Sequence, residues 1–153
     1  MLENDNLIEE FKKSLSATIK SIGKSNSIEV NFVKDLPSID GETINIKEPN
    51  IQFLRENINY IRGEADSMAL EIRYHEKKVH NEYLSSNKEV NAIFTAVEQS
   101  RIEAKGSKIF KGIKKNIIDK HKFDISSNDS ILKNNTEIVN AFRLVSFCEL
   151  TET

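Results

Sequence analysis

The sequence predicts a mainly α-helical fold: a long antiparallel helical hairpin packed with an N-terminal and a C-terminal helix, plus a small two-stranded β-hairpin. Apolar residues recur at three- and four-residue steps through most of the chain, which is the spacing of one helix face. Alternation of apolar and polar residues, typical of a strand, is confined to one short region. We therefore expect a single domain over residues 1–153, with its elements at 1–23, 27–48, 50–121 and 135–148.

The first two elements are a helix over residues 1–23 and a β-hairpin over residues 27–48. Gly23 stands where a glycine commonly ends a helix. The apolar face of this helix consists of Leu7, Phe11, Leu15, Ile19 and Ile22. In the hairpin, the first strand alternates at Ile28, Val30 and Phe32, and the second is Thr43, Ile44, Asn45 and Ile46, after a loop that contains Pro37 and Gly41.

The helical hairpin over residues 50–121 begins at Asn50 and carries the clearest periodicity in the chain. The average step of its first arm is about 3.5 residues, which favours packing against another helix. Gly63 predicts a kink in this arm, because glycine weakens a helix interior. The apolar positions of the arm are Ile51, Leu54, Ile58, Ile61, Ala65, Met68, Ile72, Val79 and Tyr83.

The second arm begins at a predicted capping box, in which Ser86 caps the helix and Glu89 stands three residues later. Its apolar face consists of Val90, Ile93, Phe94, Val97, the aliphatic stem of Arg101, Ala104, Ile109, Ile113 and Ile117, with a second glycine interruption at Gly106. The polar residues 122–135 predict a loop, and the final helix over 135–148 is built on Ile138, Ala141, Phe142 and Val145.

The composition limits the kinds of partner. The 22 basic and 24 acidic side chains nearly cancel, so no global field favours nucleic acid or an anionic membrane surface. Cys148 is the only cysteine, which excludes an internal disulfide and fits a reducing, cytoplasmic location. The chain contains no run of about 18 apolar residues, the length that a membrane-spanning helix requires.

Two histidines are candidate metal ligands. His75 and His80 are five residues apart, so on one continuous helix they point in different directions and cannot chelate one metal together. Each has a glutamate four residues earlier: Glu71 precedes His75, and Glu76 precedes His80. Either pair can bind a divalent ion if a facing helix supplies Glu98 or Glu103. The commoner role of such pairs is an ordinary helix-surface contact, and that of a histidine on an apolar face is a hydrogen-bonded interior group.

A basic stripe is predicted near the end of the hairpin. Lys108, Lys111 and Lys115 share one side of a continuous helix. A solvated surface is the commoner explanation of such a stripe, and docking to an acidic partner is the alternative.

The sequence contains no pattern that predicts catalysis. No serine has the GxSxG context of a nucleophile, and the glycines nowhere form the GxGxxG arrangement of a dinucleotide site. Gly23-Lys24-Ser25 lacks the earlier glycine of a phosphate-binding loop, since Thr18 stands in its place. We expect neither a catalytic residue nor a bound cofactor in this chain.

Three strings in the two arms resemble a known family: RGEADSMAL, RYHE followed by His80, and EQSRIEAKG. They are similar, in the same order, to the RG-x-AD-x-x-AL, (R/H)H(D/E) and EQ-x-R-x-E-x-x-G patterns of the CobT family, the T-type subunits of the aerobic cobaltochelatase. The resemblance is strongest over residues 61–118 and looser over the first helix and strands. Family members are longer, so the resemblance implies an amino-terminal fragment.

The resemblance implies a role in inserting cobalt into the corrin ring during aerobic cobalamin synthesis. A large N-type subunit holds the corrin substrate, and an S-type ATPase assembles with the T subunit, which acts as an assembly and coupling component. ATP, magnesium and cobalt are implied for the whole complex and none of them for this chain. No catalytic residue of the family maps onto this sequence.

The expectation from sequence is therefore a non-catalytic assembly module of the cobaltochelatase. Its candidate contact or structural residues are Arg62, Asp66, His75, His80, Glu98, Arg101, Glu103, Lys108, Lys111 and Lys115. Among them, Arg101 is predicted to pair with a carboxylate on the facing helix. The alternatives are a divalent-metal-binding helical domain and a generic helical scaffold or homodimerisation module.

Overall fold

The computed structural model describes residues 2–127 and 136–153, and it is mainly α-helical, as the sequence predicts. The elements within these residues are α1 (Leu2–Gly23), β1 (Glu29–Val33), β2 (Ser38–Asp40), β3 (Thr43–Lys47), α2 (Ile51–Tyr74), α3 (Lys77–Glu82), α4 (Lys88–Ile109), α5 (Ile113–Ser126) and α6 (Thr136–Thr151).

The small sheet differs from the predicted hairpin. Its strand order is β1-β3-β2, with β1 and β3 parallel and β2 antiparallel to β3. The two predicted strands are therefore neighbours but not a hairpin, and the hairpin partner of β3 is the short strand β2, which the sequence assigned to a loop. A three-residue strand is too short to show alternation, and only Ile39 within it is partly buried. Gly41, with a φ of +59°, makes the turn between β2 and β3.

The helix α2 is central to the molecule. It packs most extensively against α5 and also against α1 and α4, whereas α4 packs most extensively against α6. Asn59 of α2 donates to Asp119 at 2.8 Å. Further along α2, Asp66 accepts from Asn116 at 2.9 Å, so the contacts rise along one helix and fall along the other. The helices α2 and α5 are therefore antiparallel.

Each arm of the predicted helical hairpin is divided into two helices. The first arm ends as α2 at Tyr74 and resumes only as the short α3, where Val79 and Tyr83 are exposed and do not extend the apolar face. The second arm ends as α4 at Ile109, and Gly112, with a φ of +96°, precedes α5. The apolar periodicity of the sequence continues across the breaks after Tyr74 and Ile109, so it does not predict them.

Gly63 and Gly106 allow close packing and do not interrupt their helices. A Cβ at Gly63 would lie 2.3 Å from the carbonyl oxygen of Asn116 on α5. A Cβ at Gly106 would lie 2.3 Å from a methyl group of Leu70 on α2. The kink expected at Gly63 is absent, and the non-helical backbone inside α2 is at Asn57.

The start of α4 is one residue later than predicted. Asn87, and not Ser86, is the N-cap, and its side chain accepts hydrogen bonds from the backbone of Glu89 and Val90. The predicted apolar face is also partly wrong, because Val90 and Val97 are exposed. The residues that α4 buries are Ala96, Ser100, Ile102, Glu103, Ala104 and Gly106.

The hydrophobic core gathers side chains from α1, the sheet, α2, α4, α5 and α6. Its fully buried large residues are Ile19, Ile28, Ile44, Ile46, Leu70, Ile102, Ile117 and Phe147. The predicted loop over 122–135 begins later than expected, since α5 continues to Ser126, and residues 128–135 lie outside the described part of the chain. Among the described helices, none is both long and apolar enough to cross a bilayer.

Candidate functional site

A buried polar cluster connects four helices around Glu103 of α4, whose side chain has no exposed surface. Ser67 of α2 donates to one carboxylate oxygen at 2.5 Å, and the guanidinium of Arg143 on α6 contacts the same oxygen. The imidazole Nε2 of His121 on α5 lies 2.9 Å from the other oxygen. Glu103 therefore has partners on every helix that surrounds it.

The partners of Glu103 keep its carboxylate ionised. Burial alone would raise its pKa, because an isolated charge is costly in a low-dielectric interior. The charge of Arg143 and the hydrogen bonds from His121 and Ser67 outweigh burial and lower the pKa of Glu103 to about 2. A carboxylate with so low a pKa is a poor proton acceptor near neutral pH.

A groove of about 1000 Å³ runs beside this cluster. Ser67, Gln99 and Arg143 lie at its inner side, where Gln99 Nε2 donates to Ser67 Oγ at 2.9 Å and Arg143 donates to the same oxygen at 3.0 Å. Its lining also includes three predicted site residues, His75, His80 and Glu98. The groove thus unites side chains from all three family-like strings.

The two histidine rings meet, contrary to the prediction. Their centroids are 5.0 Å apart, because α2 ends at Tyr74 and the chain turns into α3 between the two histidines. His75 Nδ1 lies 3.5 Å from Glu98 Oε1. His80 stacks on Phe94 at 4.8 Å and contacts Thr95 Oγ1 at 3.2 Å. Even so, the described residues contain no group of three or more His, Cys, Asp or Glu side chains arranged to hold a metal ion.

The predicted interhelical pair of Arg101 is wrong. Arg101 donates to both carboxylate oxygens of Glu98 on its own helix, at 2.7 and 2.9 Å. This pairing lowers the pKa of Glu98, with a smaller contribution from His75. The interhelical charge pair is formed instead by Glu103 with Arg143 of α6.

A family model described as "Cobalamin biosynthesis protein CobT" matches residues 5–137. The chain belongs to the CobT family. The resemblance drawn from the three strings is confirmed, and membership implies involvement with the cobaltochelatase of cobalamin biosynthesis. No solved structure matches the chain.

Two of the CobT-like residues lie away from the groove. Asp66 and Arg62 line a separate cavity of about 460 Å³, and Asp66 accepts its hydrogen bond from Asn116 of α5. Burial raises the pKa of Asp66 to about 6, against the smaller opposing effects of Asn116 and Arg62. This part of the CobT motif therefore fixes α2 on α5 and does not contribute to the groove.

The three lysines of the predicted basic stripe do not share one helix. Lys108 is in the last turn of α4, Lys111 lies between the helices, and Lys115 is in the first turn of α5. All three are exposed. The prediction of a single basic helix side is wrong, because it assumed that the helix continued through Gly112.

Four residues of the cluster and groove were missed as candidates from sequence. Ser67 and Gln99 stand inside the CobT-like strings but are common surface residues, and nothing marked them for burial. His121 and Arg143 stand outside those strings. The apolar pattern gave no signal for Arg143, because the face that it predicted for α6 is exposed. That face is Ile138, Ala141, Phe142 and Val145.

Proposed function

We propose that this chain is a non-catalytic assembly and coupling region of the ATP-dependent cobaltochelatase, the complex that inserts cobalt into the corrin ring in aerobic cobalamin biosynthesis. Its proposed partners are the S-type ATPase and the large N-type subunit, and its proposed location is the cytoplasm. The single observation that carries this proposal is the convergence of the CobT-like strings on one groove, beside a buried charge that its own neighbours neutralise.

The chemistry of the cluster supports a structural role for it. Glu103 is already engaged by Ser67, His121 and Arg143, and its pKa is lowered to about 2. A general base needs a pKa near the working pH and a free lone pair directed at a substrate. A fully buried carboxylate that connects four helices instead fixes the positions of the groove walls.

The rim of the groove supports a role in protein contact. Glu98 lines the groove and accepts two hydrogen bonds from Arg101, which lies just outside the lining with 49% of its side-chain surface exposed. His75 lies beside this pair at 3.5 Å. A rim of mixed charge around an open groove favours recognition of a complementary polar surface, and such charges act mainly on specificity and association rate.

Co-migration of the full chain with each purified subunit on size exclusion, with and without nucleotide, tests the proposal. We expect a complex with the S-type ATPase or the N-type subunit, weakened about tenfold by Arg101→Ala because that change removes a charge-assisted contact. The matched control is Lys13→Ala, another exposed cation, which lies on α1 and not beside the groove residue Glu98. Absence of co-migration with both subunits would overturn the proposal.

A second candidate function is a divalent-metal-binding domain, for which the meeting of His75 and His80 speaks, although the described residues form no three-ligand group. Two imidazoles with centroids 5.0 Å apart and Glu98 beside them are ligand types that suit cobalt. Calorimetric titration of the chain with Co²⁺ tests this candidate. It requires a saturable heat that His80→Ala removes, and a baseline that stays unchanged would dispose of it.

The third hypothesis, a generic scaffold or homodimerisation module, differs in the mass it predicts. Light scattering of the isolated chain measures that mass directly. A monomeric value would remove the homodimer.

A further inference from the structure

A second cavity, of about 600 Å³, lies between α2, the end of α5 and the segment that precedes α2. Three aromatic rings line it: Phe53, Tyr60 and Phe123. Phe53 is edge-on to the other two rings, with centroid distances of 6.0 Å to Tyr60 and 5.9 Å to Phe123, and Tyr60 lies 4.3 Å from Phe123. All three rings are half-buried, so part of each remains open to the cavity.

The same cavity contains a carboxylate, Glu64, that has no ion pair among the described residues, although the charges of Lys120 and Lys47 act on it from beyond ion-pair distance. Glu64 is half-buried, and among the described residues its side chain has one hydrogen bond, a long one of 3.4 Å from the Tyr60 hydroxyl. Lys120 is committed to Asp124 at 2.5 Å. Burial raises the pKa of Glu64, and the charge of Lys120 offsets this only in part. An incoming cation would therefore find an acidic group that is already partly desolvated.

We propose that this pocket binds the guanidinium group of an arginine side chain from a partner protein. A guanidinium stacks on aromatic faces and donates two parallel hydrogen bonds to a carboxylate, which matches three rings beside Glu64. The volume of about 600 Å³ is ample for one side chain with its flanking backbone.

Charge and shape favour arginine over other occupants. An apolar group would desolvate Glu64 further without compensating its charge, which is costly. A lysine ammonium is more strongly hydrated than a guanidinium and lacks its planar fork. Leu36, which is 84% exposed beside Pro37, adds an apolar edge that can cover the aliphatic stem of an arginine.

The inference goes beyond the proposed assembly role, and most of the residues that line its pocket do not line the groove. The pocket meets the groove only along the wall formed by Leu36, Pro37 and Glu64. Arginine binding can therefore fail while co-migration with the chelatase subunits succeeds. Co-migration can also fail while arginine binding succeeds, so the two experiments test the two proposals separately.

Nuclear magnetic resonance titration of the full chain with the peptide acetyl-Gly-Arg-Gly-amide tests the inference. We expect saturable shifts in the signals of Phe53, Tyr60, Glu64 and Phe123. The same peptide with citrulline, the neutral isostere of arginine, should bind at least about tenfold more weakly, because the charge-assisted hydrogen bonds are lost.

Two variants complete the test. Glu64→Gln keeps the shape of the pocket and removes its charge, and we expect binding about tenfold weaker. Glu56→Gln, an exposed glutamate on the same helix, is the matched control and should bind like wild type. Absence of saturable shifts in wild type, equal binding of the citrulline or a lysine peptide, or unchanged affinity in Glu64→Gln would each overturn the inference.

Discussion

At the scale of single residues, Glu103 is a fully buried carboxylate that depends on its partners for stability. Its replacement by glutamine removes the negative charge that pairs with Arg143 and leaves that guanidinium without its anion. Breaking a buried charge pair from one side costs about 3 kcal/mol or more. We therefore expect Glu103→Gln to lower the free energy of unfolding by about 3 kcal/mol, measured by urea denaturation at neutral pH.

The control for this prediction is Glu82→Gln, on the exposed α3. It should change the stability by less than about 0.5 kcal/mol, as surface substitutions usually do. Equal unfolding midpoints for Glu103→Gln and wild type would show that the cluster contributes no net stability.

Asp66 gives a pH dependence of known sign. Burial raises its pKa from 3.8 in the unfolded chain to about 6 in the fold, so the folded state binds more protons between these values. Its contribution to stability is therefore complete below about pH 4 and is lost as the pH rises through 6. The shift corresponds to at most about 3 kcal/mol.

The variant Asp66→Asn removes this titration and can keep the hydrogen bond from Asn116. We expect the stability of wild type, measured relative to Asp66→Asn by urea denaturation from pH 4 to pH 8, to fall with rising pH. A difference that stays constant over this range would contradict the raised pKa.

Glu103 produces the opposite pH dependence. Its pKa is lowered from 4.5 to about 2, so its contribution is present above pH 4.5 and is lost as the pH falls toward 2. Asp66 therefore lowers the stability as the pH rises toward 6, whereas Glu103 lowers it as the pH falls toward 2.

At the scale of single elements, the start of α4 gives a sharp test, because two adjacent polar residues have different roles. Asn87 accepts hydrogen bonds from two backbone amides, whereas Ser86 caps nothing among the described residues. We expect Asn87→Ala to cost about 1 kcal/mol in unfolding free energy and Ser86→Ala to cost almost nothing. Thermal or urea denaturation of both variants measures this difference, and equal losses would contradict the assignment of the cap.

The apolar spacing predicted which segments are helical, because the burial of one helix face imposes that spacing on the sequence. It did not predict where the helices break, because Val79 and Ile109 continue the three- and four-residue rhythm although both are exposed. It also did not predict the parallel pairing of β1 with β3, which depends on a chain reversal at Ser38–Asp40.

The site was predictable only in part, because some of its contacts join residues that are far apart in the sequence. The CobT-like strings contained Glu103, His75, His80 and Glu98, and the structure brings all of them to the groove or its buried base. Arg143 was not predictable as the partner of Glu103, because the two residues are 40 positions apart and only the packing of α6 on α4 joins them.

For the molecule as a whole, the docking of α6 is expected to govern cooperative stability. Two phenylalanines on α6 give a matched comparison: Phe147 is fully buried against the core, and Phe142 is 46% exposed. We expect Phe147→Ala to cost about 3–5 kcal/mol, because it removes a large side chain from a packed interior. Phe142→Ala should cost less than about 1 kcal/mol.

Urea denaturation, followed by circular dichroism, measures both effects. A single transition shifted to lower urea in Phe147→Ala would show that α6 unfolds together with the remaining helices. Similar losses in the two variants, or a separate early transition for α6, would contradict this expectation.

The charge pair between Glu103 and Arg143 also sets where this region can be cut. Glu103 lies inside the segment that matches the family model, residues 5–137, and Arg143 lies beyond it. A version trimmed to the matched segment would keep the anion and discard its counterion, together with Phe147. We expect such a product to be poorly soluble because it lacks these two residues of α6, although it retains all three CobT-like strings. Recombinant boundaries should therefore extend past Thr151.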